Sequence, residues 1–197
     1  MYIPKHFKIQ DQEQIEKFMA DNPFAILITA SNGNIAASHL PIRRFNDGKL
    51  YGHLARANPQ AKITETEPVY VIFSGPHAYV TPTWYQSDSN LPTWNYSAVH
   101  CRGKVAFIED RQKVWSLLKE MVSLYERQTG WRLSEGKGHR RLISYIRFFE
   151  FIPAQIEAQF KFNQNKRCED IAGVIEGLKS SGQSDVAEFM ARIIRKN

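Results

Sequence analysis

The sequence predicts a mainly β fold, an antiparallel barrel carrying peripheral helices, on three observations. Short apolar runs alternate with hairpin-type turns, helical periodicity is confined to a few segments, and the glycine-rich loop that opens a doubly wound parallel sheet is missing. With 197 residues, 43% hydrophobic and 23% charged, the chain has the apolar content for one real core and is not a disordered polymer.

Asp11, followed three positions later by Gln14, resembles a capping box, and Ile15, Phe18 and Met19 share one face, so a helix is expected to run to about Asp21. Phe24 to Thr29 is an apolar run. The turn cluster Ser31-Asn32-Gly33-Asn34 then leads to Ile35 through Leu40, which together read as a hairpin. A strand is expected at Lys49 to Leu54 after Asn46-Asp47-Gly48, a helix at Asn58 to Thr66, and strands at Val69 to Phe73, Ala78 to Thr81 and Tyr96 to Ile108. Asp110 caps a helix with Val114, Leu117, Leu118, Met121 and Tyr125 at helical spacing. A long strand or strand pair fits Ile143 to Phe162, and two helices, about Glu169 to Lys179 and Ser184 to Arg195, form a C-terminal hairpin. The expected organisation is a barrel domain over residues 1–165 with a helical extension, 166–197, packed on it.

No run approaches the roughly 18–20 apolar residues that span a bilayer, and Met1 to Lys5 lacks the apolar core of a secretory signal, so the expected location is the cytoplasm. Cys101 and Cys168 have no Cys or His at zinc-ligand spacing beside them, so two reduced thiols and no metal site are expected. A net charge of +6 suits an anionic ligand or nucleic acid without choosing between them. The Walker, nucleophile-elbow and zinc-protease strings are absent.

Chemistry therefore has to come from four clusters. The densest runs from Phe73 to Tyr85 and from Leu91 to His100, where Trp84, Trp94 and Tyr96 stand among His, Asn and Thr. A flat heteroaromatic ligand needs such apolar faces and a few fixed polar groups, and a barrel wall would use the same residues as core. In Gly52 to Gln60 a strand is expected to end and a helix to begin. His53, Arg56 and Asn58 there suit a phosphate, while an ordinary helix cap accounts for them equally. Ser38 and His39 offer a hydroxyl and an imidazole on an apolar strand beside Leu40. Lys161, Gln164 and Asn165 form a polar group after Phe160.

These strings resemble the PaiB-like family of FMN-binding negative transcriptional regulators. The resemblance rests on Met1 to Phe7, Ser38-His39-Leu40-Pro41, Gly52 to Pro59, Gly75 to Tyr85, Pro92-Thr93-Trp94-Asn95-Tyr96, Val99-His100, and Lys161 with Gln164-Asn165. It implies a homodimer of six-stranded antiparallel split β-barrels with FMN near the subunit interface. By position it assigns His53, Arg56 and Asn58 to the phosphate end and Ser38, His39 and Leu40 to the strand beside the isoalloxazine. Trp84, Trp94 and Tyr96 become ring-covering surface or a wall from the second subunit, and Lys161, Gln164 and Asn165 a site-lining loop. One departure stands out: Gln86 to Asn90 carries no cation where family members often have a Lys, and Arg102 is the nearest substitute in sequence.

A repressor needs a DNA surface. The C-terminal helices look superficially like a helix-turn-helix, but Asp185 and Glu188 at the start of the second would repel phosphates, and Val186, Phe189, Met190, Ile193 and Ile194 form a packing stripe. The better basic stretch is Arg127 to Arg147, which a solvated basic loop explains equally well. The alternatives are an FMN-dependent oxidoreductase, with His39, His53, His77 and His100 as proton donors, and a haem-binding split barrel with an axial His.

Overall fold

The computed structural model describes residues 1–197 except 32, 65, 135–137 and 197. Among them run β1 (Lys8–Ile9), α1 (Gln12–Asp21), β2 (Phe24–Ser31), β3 (Asn34–Pro41), β4 (Arg43–Arg44), β5 (Leu50–Ala55), β6 (Val69–Val80), β7 (Thr93–Ile108), α2 (Arg111–Tyr125), α3 (His139–Leu142), β8 (Ile146–Lys161), α4 (Cys168–Ser180) and α5 (Ser184–Lys196). The sheet order is β3-β2-β6-β7-β8-β5-β4, with β1 on β8. All registered pairs are antiparallel. Six strands are long and two have only two residues, and β3 and β4 end the path without closing it.

The chain divides into two compact units, the first comprising residues 1–22, 73–100 and 157–197, the second 23–72 and 101–156. In the first, Asp11 Oδ1 accepts from the Glu13 and Gln14 amides and so starts α1. Phe18 on that helix meets Phe160 and Phe189, with centroids 4.8 and 6.2 Å away, and Phe162 closes the cluster against Phe189 at 5.1 Å. Phe189, Met190 and Ile193 of α5 are buried, so the apolar stripe packs as its spacing predicts. The same unit fixes the turn after β6 through Asp170, which accepts from the Gln86 and Ser87 amides and the Ser87 hydroxyl. Trp84 lies against α4 where Gly177 leaves room; a Cβ there would meet its indole at 2.3 Å.

In the second unit, Asp110 caps α2 by accepting from Gln112 and Lys113. Val114, Trp115, Leu117 and Met121 bury its inner face with Phe45, Tyr51, Ile143 and Phe148. Gly52 lets β5 run close to its neighbours, since a Cβ would meet Phe149 at 2.7 Å and the Pro41 carbonyl at 3.2 Å.

Three expectations change. The helix expected over Asn58 to Thr66 is a 3-10 helix of four residues, Pro59–Lys62, because Ile63 turns extended, and Ile63, Thr64 and Thr66 are β-branched ahead of Pro68. The strands expected at Val69 and Ala78 are one twelve-residue strand that carries Gly75-Pro76 within it. The segment from Ile143 begins with a helical turn and becomes strand only at Ile146.

Gln60 ties the second unit together. It is 2% exposed, and its Nε2 donates to the Leu27 carbonyl at 3.2 Å, Thr29 Oγ1 at 3.1 Å and the Ala36 carbonyl at 3.1 Å, while its Oε1 accepts from Ser38. Gln60→Ala leaves these buried groups unpaired, and we expect a loss of about 2–4 kcal/mol in urea unfolding. A midpoint equal to wild type would mean that water replaces the amide at no cost.

Candidate functional site

Strand alternation decides which candidates meet. Ser38 points to the side where Asn58 Nδ2 donates to its Oγ at 2.9 Å, and Asn58 Oδ1 accepts from the Gln60 amide at 2.9 Å. Leu40, on the same side as Ser38, is buried opposite Ala25. His39 faces the other way, exposed, with its ring 6.1 Å from Phe24. The string Ser38-His39-Leu40 thus serves two faces of β3. Ser38 and Asn58 form one internal group with Gln60, a member that the sequence reading quoted without assigning a role; its signal was its place directly after the Asn58-Pro59 cap.

His53 and Arg56 lie at the far end of β5. The His53 ring stacks 5.0 Å from Phe148, and its Nδ1 is buried without a hydrogen-bond partner among the described residues. Burial alone holds its pKa below the ordinary value. Arg56 is exposed; its Nε and one Nη donate to the carbonyls of Ser144 at 3.1 Å and Ile146 at 3.2 Å, and its amide donates to Tyr145 O at 2.7 Å. The remaining Nη is the uncommitted end of a guanidinium whose orientation is already fixed. Arg102 lies over Tyr70, 5.6 Å from its centroid.

The outer face of β2 and β3 is apolar. Ile26 pairs with His39, Ile28 with Ala37 and Ala30 with Ile35, and cross-strand partners share a face. Ile35 is 78% exposed and Phe24 64%. Ile72 and Tyr70 continue this face on β6 opposite Ile26 and Ile28.

The other candidates belong to the first unit. Trp94 is exposed beside His77 and Tyr79, both with centroids 6.1 Å from its ring. Lys161 Nζ donates to the Trp94 carbonyl at 2.8 Å and to Thr93 Oγ1, and burial lowers its pKa. Lys161 and Asn165 line a cavity of about 360 Å³ with Asn95, Asn163 and Lys166. Gln164 is engaged within its own loop, accepting from the Phe162 amide at 2.7 Å and donating to the Phe160 carbonyl. Trp84 packs on α4, and Tyr96 is half-buried on β7. Cys101 is buried, which pushes its thiol up to about 12, and neither cysteine forms a disulfide. Among the described residues no group of three metal-ligating side chains occurs, and no helix is long and apolar enough to cross a membrane.

Residues 1–152 match a family model described as "Putative FMN-binding domain". The "Protease synthase and sporulation protein PAI 2" of Bacillus subtilis is 36% identical, over 100% of this chain and 99% of that protein. Two solved structures share the fold. The flavocytochrome Anf3 from Azotobacter vinelandii has a TM-score of 0.63 at 17% identity, over 81% of this chain and 72% of that one. The FAD and haem binding protein from Mycobacterium smegmatis has a TM-score of 0.61 at 14% identity, over 84% and 78%. The expected mainly β, split-barrel class is borne out, with eight strands in place of six and a sheet that does not close.

Because His53 titrates below its ordinary 6.5 in the folded chain, the unfolded chain takes up the proton first as pH falls. Stability from the neutral ring is therefore complete above about pH 6.5 and is lost below it. His100, also lowered by burial and by the N-terminal ammonium, gives the same sign. We expect urea midpoints to fall less steeply with acid in His53→Leu than in wild type; parallel curves would show that His53 titrates normally.

Proposed function

This chain belongs to the FMN-binding domain family matched above, whose cofactor is FMN, and on that premise we propose that it acts as an FMN-binding homodimer that represses transcription. Two separate observations support this reading: Arg56 is an exposed guanidinium already oriented by two backbone carbonyls, and His53 Nδ1 is buried without a hydrogen-bond partner among the described residues. FMN is itself divided in this way, into an anionic phosphate and a flat, partly apolar ring. An oriented, exposed guanidinium fits the phosphate, and an exposed apolar β-face fits the ring.

Arg56 would hold the phosphate. Two of its guanidinium nitrogens are tied to backbone carbonyls, so binding costs little of the rotamer freedom that an unrestrained Arg would lose. His53 supplies a buried nitrogen that gains a partner, which is favourable where an unpaired one is costly. His39, exposed on the outer face of β3, would border the ring, while Ser38, Leu40 and Asn58 face inward and support that strand, Ser38 and Asn58 through Gln60. Trp84, Trp94 and Tyr96, and the loop with Lys161, Gln164 and Asn165, belong to the first unit and are proposed as ring-covering surface and a ligand-facing loop only as the resemblance implies. Bound FMN supplies one- or two-electron redox chemistry; the protein supplies binding and orientation.

The homodimer is supported by the outer face of β2, β3 and β6. A contiguous apolar face with an exposed Ile35 and Phe24 at a sheet edge is a surface that association would cover. A regulatory role is supported by the kinship over the full chain with PAI 2, a protein named for protease synthesis and sporulation.

Titration of the purified chain with FMN, followed by flavin fluorescence and sizing, tests the first part. We expect uptake on a dimer, about tenfold weaker binding in Arg56→Ala for loss of a charge-assisted bond, and monomers in Ile35→Asp. Unchanged affinity in Arg56→Ala would remove that residue from the site, and a dimeric Ile35→Asp would move the interface elsewhere. For the second part, transcripts that rise when the chain is deleted from its cell should fall when it is restored. No transcript behaving so would end the repressor reading.

A further inference from the structure

The two units differ sharply in charge. The second contains 16 Lys and Arg against 9 Asp and Glu, the first 10 against 11, so the whole positive balance of the chain belongs to the second unit. Within it the segment 111–147 alone has nine Lys and Arg against three acids.

The structure gathers these cations into an arc. Arg111 and Arg140 line one cavity of about 140 Å³. Arg140 and Lys119 both stand over the Trp115 ring, 5.8 and 5.9 Å from its centroid. Lys119 then shares a cavity of about 640 Å³ with Arg127, Arg132 and an exposed Trp131. Arg141 is exposed beside Arg140 on α3. Among the described residues Arg111, Arg127, Arg132 and Arg141 have no carboxylate at ion-pair distance. Acids also face the arc, and Glu120 and Glu126 line the cavity with Lys119, Arg127 and Arg132. Glu109 pairs with Arg147, Glu120 accepts from the Asn46 amide at 2.8 Å, and Glu126 accepts from the Thr129 hydroxyl.

We propose that this arc, through Arg111, Lys119, Arg127, Arg132 and Arg141, is a binding surface for the phosphodiester backbone of duplex DNA, an inference that rests on the repressor reading. Cations spread over a surface, four of them arginines without a carboxylate at ion-pair distance among the described residues, match a polymer with regularly spaced charges better than a single small anion. Arginine predominates over lysine in the arc, and its planar fork suits phosphate oxygens. The C-terminal helix pair is not required for this contact. α5 opens with Asp185 and has its apolar stripe buried, so the recognition geometry that its sequence superficially offers is already spent on packing.

Anisotropy of a labelled mixed-sequence duplex, titrated with the full chain over a range of salt, tests the surface. Wild type should bind with affinity falling steeply as salt rises. Arg132→Gln combined with Arg141→Gln should weaken binding by about tenfold per contact at roughly 0.1 M salt and flatten the slope by about one per contact. Lys179→Gln, an exposed change in the first unit, should leave binding unchanged, and equal urea midpoints would confirm that the variants are folded. If wild type binds and the double variant binds as tightly, the arc is wrong while the repressor reading stands. If wild type does not bind duplex at the lowest salt, or binds only vesicles of anionic lipid, the DNA surface is overturned whatever the transcript experiment shows.

Discussion

Much of the second unit depends on one buried amide. Gln60 has both ends of its side chain satisfied, by two carbonyls and two hydroxyls drawn from β2 and β3. A buried primary amide is costly when unpaired and directional when paired, so it fixes the 3-10 helix against the hairpin far more specifically than an apolar side chain of equal volume would. Asn58 completes the arrangement by capping Gln60 and donating to Ser38. The register of β3 is pinned from the inside as a result. A slip by one residue would exchange Ser38 for His39 at this internal position and lose the bonds that Ser38 makes to Gln60 and Asn58.

The same constraint determines what is left outside. With Ser38 and Leu40 turned inward, the odd-numbered residues Ile35, Ala37 and His39 must face outward, and β2 supplies apolar partners for each of them. The strand thus carries Ser38 among its inward residues and exposes Ile35 and Ala37 on its outer face, where a one-sided sheet is usually polar. An arrangement of that kind is stable only if something covers the outer face, or if the face stays small enough to remain soluble. It is the reason for reading the exposed hairpin as an association surface rather than as ordinary surface scatter.

Sequence reasoning reached the caps and the packing stripes because their signals are local. Asp11 and Asp110 each accept two amides, and α5 buries Phe189, Met190 and Ile193 at the spacing read from the chain. It missed the continuity of β6, since Gly75-Pro76 reads as a break but is tolerated within a strand whose neighbour Phe18 occupies the space a Cβ would need. It also overextended the helix after Asn58, where β-branched residues and Pro68 override a good cap. Among site residues, proximity in sequence misled most for Ser38 and His39, which adjacent positions on a strand send to opposite faces. Ser38 and Asn58, twenty positions apart, are the pair that actually meets. Sequence identifies the polar residues worth considering, and pleat direction decides which of them form a group.

Charge follows a similar logic at larger scale. The net +6 of the whole chain is uninformative because it averages a nearly neutral unit with a strongly basic one. Within the basic unit, Arg147 differs from its neighbours. It donates to Glu109 and to the Ala61 carbonyl and lies 3.8 Å from the centroid of Phe107, so its charge is used internally. Arg56 is intermediate, with two nitrogens committed and one free. Arg132 and Arg141 are exposed and have no carboxylate partner among the described residues. Keeping such cations together raises the self-repulsion of the fold, which salt screens only in part. A polyanion relieves that repulsion when it binds, releasing its own counterions at the same time, so the cost of assembling the arc in the free protein returns as affinity and as salt dependence. The distinction between internally matched and unmatched arginines, rather than their number, separates a solvated basic loop from a surface suited to DNA.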